Sequence, residues 1–169
     1  MIVTGATGGI GSAIVRGLVE QDVVVIAIGR TAHKLKALAA ELKPLNPTLH
    51  TLAADFAGPK WPAQVEKVLT LHPTIHWLIH CAGFLDPSES FDNIKELDKT
   101  YTTNLLAPVR LTKMTLPRLD TLGGVIAISS TAANGGSGRY PHYAASKAAL
   151  NVFTLSLAPL APLPSFAPC

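Results

Sequence analysis

Cysteine is scarce in this chain. Only Cys81 and Cys169 occur in 169 residues, too few for a disulfide framework and in keeping with a reducing compartment, the cytoplasm. Charge is scarce as well: Asp, Glu, Lys and Arg make up 15% of the residues, and the formal net charge is +3. The basic residues are scattered (Arg16, Arg30, Lys34, Lys36, Lys43, Lys60) and form no stripe, so nucleic acid is not an expected partner. Long apolar runs are missing. The stretch 23–28 is among the longest, far below the ~20 residues that span a bilayer, and no membrane partner is expected. No charged region precedes a hydrophobic one at the N-terminus, so no secretory signal is read there. No spacing of His, Cys and Asp resembles a ligand set, and no metal is expected. What the chain has is apolar content: 48% hydrophobic residues, which excludes disorder and fills the core of one domain.

Short apolar segments alternate with helical periodicities. Strands are expected at 2–4, 23–28, 49–54, 75–80 and 125–129. Between them, Ile14, Val15 and Leu18 mark a helix over 12–21, and Leu35, Leu38 and Leu42 a second one, capped by Thr31 and ended before Pro44. Val65, Val68 and Leu69 mark a third helix over 62–71. A long helix is expected over 94–118, kinked by Pro108, and a last one carries Tyr143 and Lys147. Strands and helices in this order predict βαβ units: an α/β, Rossmann-like doubly wound parallel sheet in three αβα layers. The prolines at 159, 162, 164 and 168 break the alternation, so 1–157 is read as one domain and 158–169 as a proline-rich tail.

Two places carry chemistry. The run Tyr143-Ala-Ala-Ser-Lys147 puts a phenol and an ammonium four residues apart on one helix face. A tyrosine moves protons near neutrality only if its pKa of ~10 is lowered, and a neighbouring positive charge does that. Ser130, thirteen residues upstream, offers a hydroxyl for a substrate oxygen. The other place is the turn Thr4-Gly-Ala-Thr-Gly-Gly-Ile-Gly11 between the first strand and helix, where glycines let the backbone approach a pyrophosphate at a helix N-terminus. Arg30, after the second strand, stands where an acidic residue would bind the ribose hydroxyls of NAD, and an arginine there accommodates the 2′-phosphate of NADP. NADP(H) is therefore expected over NAD(H).

Gly5, Gly9 and Gly11, then His80-Cys-Ala-Gly83, Asn104, Ser130, Tyr143 and Lys147 follow one another in the order seen in the short-chain dehydrogenase/reductase family, which the chain resembles from residue 2 to about 157. The turn, with Gly8 present, also fits the extended branch that includes the sugar epimerases. Ser130, Tyr143 and the run Tyr-Ala-Ala-Ser-Lys are more similar to the classical branch. The resemblance implies a nicotinamide-dependent oxidoreductase interconverting a small-molecule carbonyl and alcohol. Tyr143 is then general acid and base, Lys147 lowers its pKa and holds the nicotinamide ribose, Ser130 orients the reacting oxygen, and Asn104 holds a relay water. The cofactor is expected along Gly5, Thr7, Gly8, Gly9, Ile10, Gly11, Arg30, Thr31, Asp55, Phe56, Cys81, Ala82, Gly83, Tyr143 and Lys147. Asp55 has two readings, as acceptor for the adenine amino group or as a turn cap.

Several positions depart from the family's pattern. His80 and Cys81 replace asparagines; His80 is expected to be structural, and Cys81 a small buried hydrophobe. Gly8 occupies the place where many NADP-using relatives carry a basic residue. Relatives of this family also run on for two further strands that this sequence does not contain. Two functions follow: an active NADP(H)-dependent reductase, or a shortened, catalytically silent relative that binds nucleotide or associates with other subunits. An uncovered sheet edge predicts a homo-oligomer or a poorly soluble chain.

Overall fold

A computed structural model describes residues 1–45, 48–93 and 95–158. Most of the proline-rich tail lies outside the described residues, as does Ile94, the expected start of the long helix. Five strands form one parallel sheet: β1 (Ile2–Thr4), β2 (Ile26–Gly29), β3 (His50–Ala53), β4 (Ile75–His80) and β5 (Leu119–Ala127), in the order β3-β2-β1-β4-β5. The helices between them are α1 (Gly9–Glu20), α2 (Ala32–Leu42), α3 (Trp61–Leu71), α4 (Leu97–Tyr101) and α5 (Ala107–Thr115), and after β5 come α6 (Ala132–Gly135) and α7 (Pro141–Leu155).

Both faces of the central strands β1 and β2 are buried, the edge strand β3 is largely exposed, and successive strand residues serve opposite sides. Ile2, Ile26, Ile28 and Leu78 pack with Trp61, Val65 and Leu69 of α3 and Leu111 of α5. Their neighbours Val3, Ala27 and Ile79 pack on the other side with Val15 and Val19 of α1 and Leu35, Leu38 and Leu42 of α2. Each of these helices buries one stripe at i, i+3 or i+4, and each fully buried Val or Leu contributes about 1.5–3 kcal/mol. The expected α/β architecture is the one observed.

Several boundaries differ from expectation; α1 begins at Gly9 rather than 12, and β3 covers 50–53 of the expected 49–54. β2 starts at Ile26, not at 23, because its parallel pairing with β1 begins at Ile2↔Ile26; Val24 lies short of that register and is exposed. The helix over 94–118 is broken into α4, a π-helical turn at Thr102–Leu106, α5 and a 3-10 turn at Leu116–Arg118. Pro108 sits in the first turn of α5, which continues directly from the π turn; it offers no N–H to the carbonyls of that turn, and the irregularity falls there. β5 is longer than expected at its start and leaves Ile128 and Ser129 outside. Two steps along β4, from Ile75 to Trp77, match five along β5, from Leu119 to Gly124, so β5 bulges. Thr31 stands at the head of α2, yet its side chain makes no capping hydrogen bond.

Candidate active site

The strand order reverses between β1 and β4, and the candidate site lies outside the carboxyl ends of these strands. Thr4 Oγ1, at the end of β1, accepts hydrogen bonds from Cys81 N (3.1 Å) and Ala82 N (3.0 Å), which ties the turn after β1 to the turn after β4. Gly5 follows with φ +64°, and a Cβ there would lie 2.7 Å from the Ala82 backbone. Gly11 is equally constrained, since its Cβ would enter the Gly5 carbonyl. Gly9 is different: it is exposed, and nothing lies within 4 Å of where its Cβ would be. Gly8 caps α1 without a side chain, no acidic residue occupies the first turn, and Ser12 N already bonds to Gly8 O. The N–H groups of Gly9, Ile10 and Gly11 therefore have no acceptor among the described residues. Packing within the chain explains Gly5 and Gly11; the open, donor-rich surface at Gly9 fits an anion such as a pyrophosphate.

The residues expected on the adenosine side lie at the ends of β2 and β3. Arg30 and Asp55 line a cleft of about 240 Å³ with Lys60, Trp61 and Gln64. Asp55 Oδ1 accepts from Ala57 N (3.1 Å), the turn-capping geometry. Phe56 packs its ring in the core, edge-on to Trp61 at 5.1 Å between centroids, so a base bound here would meet its backbone and not its phenyl face. Thr7 is half-buried beside Gly29, where a Cβ would come 3.3 Å from Thr7 Oγ1. A second cleft, about 500 Å³, opens among Met1, Val24, Leu71 and His72 at the amino ends of the strands, away from all these side chains.

At the other end α7 presents Tyr143 and Lys147. Lys147 is 3% exposed, and its Nζ donates to Ile128 O at the end of β5 (2.9 Å) and stands 6.0 Å from the centroid of the Tyr143 ring. Burial holds the ammonium pKa below its ordinary value. A Cβ on Gly83 would lie 3.5 Å from Lys147 Nζ and 3.7 Å from Asn104 Oδ1, so the turn after β4 faces both groups. Asn104, fully buried in the π turn, accepts from Phe84 N (2.7 Å) and donates to Phe84 O (2.8 Å) and to Ser146 Oγ (3.0 Å). Ser146 Oγ donates in turn to Tyr143 O (2.7 Å). The Tyr143 hydroxyl is partnerless among the described residues, and Ser130 Oγ accepts only from Ala132 N (3.2 Å).

His80 is buried and its Nε2 lies 2.9 Å from Thr112 Oγ1; burial, and secondarily the Lys147 charge, lower its pKa to about 3, so it stays neutral and structural. Cys81 is half-buried rather than buried, and desolvation raises its thiol pKa. Three residues of this network escaped the sequence reading. Thr4 and Ser146 adjoin motif residues and carry a weak local signal. Glu89, which binds the first turn of α7, stands 53 residues from it and carries none.

A model of the short chain dehydrogenase family matches residues 1–161. A short chain dehydrogenase of Pseudocercospora fijiensis is 34% identical over 93% of this chain and 53% of its own length. A benzil reductase, (S)-benzoin forming, of Saccharomyces cerevisiae is 28% identical over 94% of this chain and 64% of its own length. The solved KRED1-Pglu enzyme superimposes with a TM-score of 0.84 at 30% identity, over 95% of this chain and 68% of that one. The chain thus spans about half to two thirds of the length of such relatives. With the parallel sheet, the glycine turn and the Tyr143/Lys147 helix assembled in one fold, the chain belongs to the short chain dehydrogenase family.

Proposed function

We propose that this chain is an NADP(H)-dependent oxidoreductase that interconverts a small carbonyl compound and its alcohol, with residues 1–157 as the working unit. The observation that carries the reading is Lys147. A lysine this buried, held by a main-chain carbonyl one helical turn from a half-exposed tyrosine, is a costly arrangement for a fold and a useful one for an acid.

Bound across the crevice, the nicotinamide cofactor supplies or takes up the hydride at its ring carbon. Gly5, Thr7, Gly8, Gly9, Ile10 and Gly11 would hold its pyrophosphate, Arg30 and Thr31 the adenosine ribose phosphate, Asp55 and the Phe56 backbone the base, and Cys81, Ala82 and Gly83 the ribose edge. In reduction Tyr143 donates its phenolic proton to the carbonyl oxygen, and in oxidation it takes that proton back. Lys147 favours the phenolate by its charge. Ser130 holds the reacting oxygen in line with Tyr143. Asn104 would hold a water that relays protons between Lys147 and solvent; its side-chain N–H groups are committed to Phe84 and Ser146, so that water would donate to Asn104 Oδ1, which already accepts from Phe84 N. An acid–base group so placed is worth ~10²–10⁴-fold in rate. The cytoplasm and a homo-oligomeric state belong to the same proposal.

Thermal unfolding with each nucleotide tests it. NADPH at ~100 times its dissociation constant adds about 2.7 kcal/mol, a rise of several degrees for a chain of this size, and NADH adds less. Arg30→Ala should equalise the two shifts. No shift with either nucleotide would overturn the reductase and leave, of the alternative, only the silent relative that associates with other subunits.

A further inference from the structure

We infer that Glu89 is a positioning residue: from the loop after β4, its carboxylate fixes the first turn of α7 and with it Tyr143. This rests on the role proposed for Tyr143 above. Helix α7 lacks a cap of its own. Tyr140 at its head makes no side-chain hydrogen bond, and no acidic residue occupies its first turn. The orphan N–H groups are met from far along the chain: Glu89 Oε1 accepts from His142 N (2.6 Å) and Tyr143 N (3.1 Å). A carboxylate at a helix start is favoured by the helix dipole and makes charge-assisted bonds.

The loop carrying Glu89 is itself built to hold still. Phe84, at its start, is bound through both N and O by Asn104. Asp86 Oδ1 accepts from Ser88 N and Ser88 Oγ, Glu89 N donates to Asp86 O (3.1 Å), and Asn93 Nδ2 donates to Ser88 O (2.8 Å). The result is a closed circuit around one residue. Glu89 holds the N–H of Tyr143, Ser146 Oγ holds its carbonyl, and Asn104 holds both Ser146 and the root of the Glu89 loop.

A joint made only for stability would have its polar atoms paired. Here Glu89 is 6% exposed, and its Oε2, like His142 Nε2, is buried without a partner among the described residues. An incompletely paired buried carboxylate adds little net stability. What it supplies is a place for Tyr143.

The test compares Glu89→Ala and Glu89→Gln with the unaltered chain in NADPH-dependent reduction of benzil as probe ketone. Misplacing the acid should lower kcat by about 10–100-fold in the alanine variant, with the KM for benzil and the Kd for NADPH unchanged. The glutamine variant keeps an acceptor oxygen and should restore kcat to within about threefold of the unaltered value. Unchanged kcat in Glu89→Ala overturns the inference. So does a parallel loss of NADPH binding and kcat in both variants, which marks a residue that merely holds the fold. Absence of benzil turnover by the unaltered chain bears on the oxidoreductase reading alone. Glu89 is then judged by amide exchange at His142 and Tyr143: acceleration of about tenfold or more in the alanine variant only supports it, and equal rates in all three overturn it.

Discussion

Gly9 and Gly11 look alike in the sequence and answer to different demands. Gly11 faces the Gly5 carbonyl, so Gly11→Ala must displace backbone and should lower the melting temperature by on the order of 5 °C or more. Gly9→Ala meets nothing in the chain and should leave the melting temperature within about 1 °C, while weakening NADPH by about tenfold in calorimetry as the methyl enters the cradle. Equal effects of the two on stability would remove the case for an anion at Gly9. His80 sets a limit of another kind. Its pKa falls from 6.5 to about 3 on folding, so above pH 6.5 it is neutral in both states and stability is intact. Below that, the unfolded chain takes up a proton that the folded chain refuses, and up to about 1.4 kcal/mol is lost per pH unit down to about pH 3. Denaturant titrations between pH 7 and 4 should show this loss, and His80→Asn should flatten it.

Among the elements, those with an unbroken apolar period were legible in the sequence. β4 runs over the expected 75–80, and α2 and α3 show their apolar stripes directly in the leucine and valine spacing. The broken elements were not legible. The π turn at Thr102–Leu106 shifts the hydrogen-bond ladder without any change of residue type; Pro108, two residues after it, marked a disturbance of the helix but not its form. The β5 bulge left a trace in Gly123-Gly124, but the reason for those glycines is tertiary: Gly123 lies against the His76 carbonyl and Gly124 against the Trp77 ring. Gly123→Ala should cost about 1–3 kcal/mol in chemical denaturation, whereas Gly135→Ala, with open space around it and no positive φ, should stabilise by up to about 1 kcal/mol through the lowered entropy of the unfolded chain. A neutral Gly123→Ala would mean that β5 runs without the bulge. The motif residues of the site were readable because Tyr143 and Lys147 are neighbours on one helix turn; the Glu89 contact was not, because only the fold brings residue 89 to residue 142.

At the scale of the whole molecule, β5 ends the sheet, and Leu122, Val152 and Leu155 are 78%, 64% and 68% exposed. No helix among the described residues is long and apolar enough to cross a membrane. With a net charge of only +3 there is little repulsion to keep such surfaces apart. Sedimentation velocity should therefore find the 17.8 kDa chain in species larger than a monomer, and a sharp monomer peak at every concentration would refute the oligomer.

The sheet order carries a consequence for how the molecule is made. β1 lies at the centre, yet it leaves the ribosome before the other four strands, and its partner on one side, β4, follows more than seventy residues later in the register Ile2↔Leu78. Until then a nascent β3-β2-β1 sheet carries an open inner edge, and its glycine turn lacks the Ala82 backbone against which Gly5 is moulded. At translation speeds of ~5–20 residues per second that interval lasts several seconds, long enough for chaperones to find the bare strand.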